Sequence, residues 1–296
     1  MISERRNRLE KRGLARLFVS ASLLTLALVS KAQETRALPD SSQVTTPLPT
    51  REGQGGGSLH STLFGYGRVR QLDTYLSPLN YKGGQIEFLH ETLRPARNRR
   101  LSIQTLWQMN LSKASNEAGK TNLMGGDISF DAGLHYNWHL KSLPGLRFMA
   151  GGLAGVNLGF LYHTRNGNNP AQALASLRLS ASLAAVYDFR LGKRMLSARW
   201  QADLPLMGVM FSPQYGQSYY EIFSLGHYDH NIVFTYPGNA PSMRHQVSLD
   251  FPVGRVTLRA AYLCDMWQSS VNNIRHHSYT HAFMFGWAVR LMKIKK

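Results

Sequence analysis

From Asp127 to Lys141, apolar and polar residues alternate without a break. Ile128, Phe130, Ala132, Leu134, Tyr136, Trp138 and Leu140 share one parity, and Ser129, Asp131, Gly133, His135, Asn137, His139 and Lys141 share the other. Successive side chains of an extended strand point to opposite faces, so the pattern predicts one apolar and one polar surface, whereas a helix would mix the two sets. The run meets the ~9–11 residues a tilted strand needs to cross a bilayer. It reads as one stave of a membrane barrel.

The same alternation recurs along the chain. It predicts strands at 59–69, 82–93, 101–112, 127–141, 146–163, 173–190, 196–204, 245–253, 256–265 and 279–291. The first two alternate imperfectly. Residues 146–163 are the most ambiguous, because Gly151, Gly155 and Gly159 also carry the small-xxx-small spacing of packed membrane helices. In the strand register those glycines lie on the lumen side with Arg147, Asn157 and His163. Both neighbouring segments alternate, which favours a strand. Short turns follow every second strand and longer connections follow the others, the layout of an up-and-down barrel with both ends on the short-turn side. The expected fold is therefore an all-β antiparallel transmembrane barrel of about ten strands. Segments SYYEIFSL and NIVFTY within 207–242 offer a further hairpin that would make twelve.

Before the strands, Arg5, Arg6, Arg8, Lys11, Arg12 and Arg16 precede an apolar segment at 17–29, followed by Ser30-Lys31-Ala32. This is the layout of a signal peptide over 1–32, cleaved before Gln33. The alternative, a membrane anchor, needs about 20 apolar residues. Residues 33–57 hold Pro39, Pro47, Pro49 and a glycine run, which predicts a flexible periplasmic linker before a barrel over 58–296. Export of this kind places the protein in the cell outer membrane.

The single cysteine, Cys264, excludes an internal disulfide framework. The formal charge of +17 falls to +12 once the seven basic and two acidic residues of the first 32 are set aside. No nucleic-acid motif accompanies that charge, so the expected partners are outer-membrane lipids, including phosphorylated lipopolysaccharide, and the barrel-assembly machinery. Mean hydropathy is −0.26, as expected when polar lumen residues offset apolar outer ones.

The signal peptide, the Gly-rich lead-in, LDTYLSPLNYKGGQIEF (72–88) and LPLMGVMFSPQYGQSYYEIFSLG (204–226) together resemble a family of small outer-membrane proteins of Bacteroidota known only as a domain of unknown function. The resemblance implies the barrel over nearly the whole mature chain and carries no functional residues. The ending Met292-Lys293-Ile294-Lys295-Lys296 lacks the terminal aromatic of many outer-membrane barrels.

Three groups of residues bear on candidate chemistry. His227, Asp229 and His230, near Glu221, hold base and metal-ligand groups in the long outer segment; a polar loop is the plainer reading, since no nucleophile stands at a defined spacing. Asp131, His135, His139, Arg178, Arg199, Asp203, Arg244, Asp250, Arg259 and Asp265 fall on the lumen parity. Charges enclosed in a narrow barrel must be paired or hydrated, so these predict a plug of ion pairs. His276, His277 and His281 invite a metal reading, but neighbours on a strand point opposite ways, which places them at a loop tip or surface. No cofactor or metal is implied. The expected function is that of a non-enzymatic structural, narrow-pore or surface-binding barrel with a filled lumen. The alternative is an outer-leaflet enzyme, such as a lipid A acyl hydrolase or transferase or a rim protease.

Overall fold

The computed structural model describes residues 57–292 except 99, 141, 168, 254 and 255. The predicted signal peptide, nearly all of the linker and the last four residues lie outside the described residues. Eleven strands and one short helix run in the order β1 (Gly57–Asp73), β2 (Ser77–Pro95), β3 (Leu101–Asn116), β4 (Asn122–His139), β5 (Leu146–His163), β6 (Ala171–Leu191), β7 (Arg194–Phe211), α1 (Tyr219–Phe223), β8 (Ile232–Thr235), β9 (Met243–Val253), β10 (Val256–Val271) and β11 (Ile274–Met292).

Strands β1 to β7 pair antiparallel in sequence, β7 pairs β9, and β10 and β11 return to β1. Ten strands therefore close the barrel. Closure gives every interior backbone group a partner, which matters where the surroundings offer none. The outer face is apolar: Phe64, Ile86, Trp107, Leu134, Leu158, Leu183, Leu258 and Phe283 are all exposed large hydrophobics. On β4 the alternation holds as predicted, with Leu134 50 % exposed and its neighbour His135 at 0 %.

Residues 146–163 form a strand, with the three glycines facing the lumen. Gly151 lets the backbones of β4 and β5 approach closely, because a Cβ there would lie 1.8 Å from the Leu134 carbonyl oxygen. Gly155 serves a side chain instead: a Cβ would lie 2.0 Å from Asp131 Oδ1 and 3.0 Å from Arg178 Nε.

Two expectations need correction. The outer hairpin that would have made twelve strands is absent from the barrel wall. NIVFTY contributes β8, which pairs only with Gly208–Phe211 at the upper end of β7, while SYYEIFSL forms α1. The reason lies in a capping box. Ser218 Oγ accepts from the Glu221 backbone N–H, and the Glu221 carboxylate accepts from the Ser218 N–H, so the local bonds favour a helical turn over a strand. Connections at the loop end are also shorter than expected, since β1 and β2 are joined by 74–76 and β10 and β11 by Asn272-Asn273. Both asparagines have positive φ, at 50° and 58°, as a two-residue hairpin with strand-matched twist requires. Residues 212–242 are left as the one long loop.

Candidate functional site in the lumen

The lumen face of each strand delivers polar side chains to one level of the barrel. Arg178 of β6 donates through Nη2 to both carboxylate oxygens of Asp131 on β4, at 2.8 and 2.9 Å. Arg244 of β9 reaches the same Asp131 at 3.0 Å and grips Asp203 of β7 through Nε and Nη2, at 3.1 and 2.8 Å. Asp203 then accepts from Ser182 Oγ at 2.5 Å, and Ser182 Oγ lies 2.8 Å from His135 Nε2.

A second chain runs alongside. Arg259 of β10 forms a two-pronged pair with Asp250, at 2.6 and 2.7 Å, and donates to Glu91 at 3.1 Å. Arg199 meets the other oxygen of Glu91 at 2.7 Å and donates to Gln201 Oε1 at 2.6 Å. Gln201 Nε2 donates to Asp203 at 2.9 Å and so joins the two chains. Four arginines thus meet four carboxylates in one buried, charge-balanced network. Buried charges persist only when paired and hydrogen-bonded. Below it, Leu59, Leu93, Met149, Ala184, Val186 and Ala288 form an apolar cluster at the short-turn end. Beside it, Leu63, Leu89, Leu106, Leu263 and Met284 pack inward as a second.

Of the residues predicted for the lumen, Asp131, His135, Arg178, Arg199, Asp203, Arg244, Asp250 and Arg259 lie in this network. Asp265 sits above it, accepting from Gln108 at 2.9 Å, and His139 is exposed at the foot of β4. Sequence reasoning missed Glu87 and Glu91, both buried on the lumen face of β2. Leu89 and Leu93 share that face and hide the alternation. The order His135, Ser182, Asp203 differs from that of a hydrolytic triad. There the imidazole stands between hydroxyl and acid, whereas here the hydroxyl donates to the acid directly.

Above the plug the lumen widens into a cavity of about 110 Å³, with Gln85, Asp127, Arg178, Asp265 and Trp267 in its wall. The Arg178 guanidinium covers the Trp267 ring at 4.6 Å from its centroid.

His227, Asp229 and His230 are all exposed on the long loop. It is their main-chain carbonyls that are held, by Gln217, Gln214 and Asn272 respectively. Neighbouring Glu221 is committed to the cap: hydrogen bonds from the Ser218 backbone and hydroxyl hold its carboxyl below the usual range. The loop is tied to the rim by Tyr75 Oη, which donates to the Gln217 carbonyl at 2.8 Å, and by Tyr219 Oη, which accepts from the Ala173 N–H at 2.6 Å. His276 and His277 lie within β11 rather than at a loop tip, and they point opposite ways. His276 pairs with Asp73 at 3.1 Å inside, His277 stacks on Tyr279 outside, and His281 bonds the Tyr262 hydroxyl at 2.7 Å. Among the described residues no group of three or more His, Cys, Asp or Glu is placed to hold a metal ion.

The chain belongs to the family described as "Protein of unknown function (DUF3316)", whose model matches residues 22–296. No curated protein matches it in sequence. Solved structures of similar form include the transport unit of the autotransporter AIDA-I from Escherichia coli, at 9 % identity and a TM-score of 0.42 over 82 % of this chain and 92 % of that one. Outer membrane protease OmpT from Escherichia coli follows at 6 % identity and a TM-score of 0.43, covering 84 % of this chain and all of that one. The translocator domain of autotransporter NalP from Neisseria meningitidis has 10 % identity and a TM-score of 0.40, covering 93 % and 96 %. At these identities the likeness concerns fold alone.

Proposed function

We propose that this member of the family is a non-conducting outer-membrane barrel, closed on its periplasmic side and serving as a structural or surface-binding element whose chemistry faces outward. The observation that carries this reading is the neutral network of four arginines and four carboxylates above an apolar seal. Side chains of a barrel this narrow suffice to fill its interior, and an aqueous path would require these pairs to separate. The apolar outer belt suits lipid tails, and the basic balance suits phosphorylated head groups such as those of lipopolysaccharide. In this reading a leader at 1–32 exports the chain, the barrel-assembly machinery inserts it, and the loop 212–242 stands at the cell surface.

Planar-bilayer recording tests the closed lumen. The unmodified protein should show no steady conductance. The double variant R178A/R259A should leak, because each change opens space and removes a cation from a buried carboxylate; breaking such a pair costs about 3–5 kcal/mol. Large, stable openings in the unmodified protein would overturn the reading.

A further inference from the structure

Below the cavity, every arginine of the plug has a carboxylate, but three more carboxylates stand above the plug with no arginine as partner. Glu87 accepts from Gln85 at 2.5 Å and from Gln108 at 3.5 Å. Asp265 accepts from the same Gln108 at 2.9 Å, and Asp127 accepts from Asn110 at 2.7 Å. Among the described residues none of the three lies in an ion pair. The nearby basic side chains are already engaged, Arg178 with Asp131 and Trp267, and His276 with Asp73.

The cavity wall also presents acceptors that lack donors. Gln85 and Asp265 are only 4 % and 5 % exposed, and both line the cavity. Gln85 spends its amide N–H on Glu87, which leaves Oε1 buried without a partner. Asp265 Oδ1 is likewise buried without a hydrogen-bond partner, with the Trp267 indole near the carboxylate. A buried acceptor without a partner has given up its water for nothing, so a group that donates without accepting is favoured here. An ammonium is such a group, with three donors and no acceptor. The rest of the wall mixes neutral polar side chains such as Asn157 and Ser176 with Leu161, Leu174 and Met210, which suit methylenes.

We propose that this cup binds a small aliphatic diamine from the loop side, one ammonium meeting Asp265 and Gln85 and the other Asp127. The proposal draws on the closed-lumen reading only for the floor of the cup. Its test is calorimetric titration of the full chain in a nonionic detergent with putrescine, and with butanediol as the uncharged counterpart. Saturable binding of putrescine and none of butanediol is expected. Asp265→Asn and Asp127→Asn should each weaken binding at least about tenfold, the scale of one lost charge-assisted hydrogen bond. Heat-modifiability on gels reports whether each variant is folded; should one fail, the comparison of diamine with diol on the unaltered protein still decides. No heat with putrescine, equal binding of the diol, displacement by calcium at equal concentration, or unchanged affinity in both folded variants would overturn the proposal. Conductance is read separately, so an open channel that still binds putrescine would sink the plug and not the cup.

Discussion

At the scale of single residues, the lumen shows how little room a charged interior leaves. Gly155 faces the Asp131–Arg178 pair, and its missing Cβ is the space that pair occupies. Gly155→Ala should therefore destabilise the barrel by about 1–3 kcal/mol, the usual range for overpacking. Urea titration of the micelle-embedded protein measures it, with Gly167→Ala, where nothing lies within 4 Å, as the neutral comparison. On the outer loop, the depressed pKa of Glu221 makes a statement about pH. A carboxyl held below its unfolded value stabilises the fold above that unfolded value, about 4.3 for Glu, and loses the contribution as pH falls through the folded one. Hydrogen exchange across 219–223, referenced to a β10 segment, should accelerate as pH drops below the ordinary Glu range. Ser218→Ala should weaken that dependence without abolishing it, since it removes the hydroxyl that binds the carboxylate and leaves the backbone N–H of residue 218, the larger cause, in place. The S-x-x-E signal of this cap was present in the sequence, but Tyr219, Tyr220, Ile222 and Phe223 read equally well as strand formers.

At the scale of elements, alternation identified ten wall strands because each puts one face outward into an apolar environment and one inward among polar groups. It located the strand centres and left their ends short. Past the belt both faces of β1, β2, β10 and β11 meet mixed surroundings, so the period fades although pairing continues to Asp73 and to Val271. Alternation is faintest on β2, where Leu89 and Leu93 enter the lumen to build apolar clusters and thereby conceal Glu87 and Glu91. Where the two faces differ most, the consequence of substitution should differ most. Leu134→Arg places a charge on the outer belt and should cost about 2–4 kcal/mol near a bilayer midplane. His135→Asn, one residue on, keeps a polar group beside Ser182 and should cost less. The heat-induced gel shift after refolding into liposomes separates the two, and equal losses would contradict the register.

At the scale of the whole molecule, the ion pairs do more than fill space. The plug was legible in the sequence as a set of inward charges, but its pairing was not, because partners lie on strands remote along the chain. Arg259 shows this most clearly: it bonds Asp250 on the adjacent β9, Glu91 on β2 and Ser61 on β1, the last 198 positions away. Before β1 meets β11, Arg259 can pair with Asp250 across the β9–β10 hairpin, but Glu91 and Ser61 stay out of its reach, and water must solvate what they leave unmet. Joining the first and last strands therefore completes the neutralisation of the interior, since it brings Glu91 to Arg259. The interior works as a latch on the seam: a hairpin cannot peel away without stranding a charge in the middle of the barrel, so assembly and disassembly proceed as all or nothing.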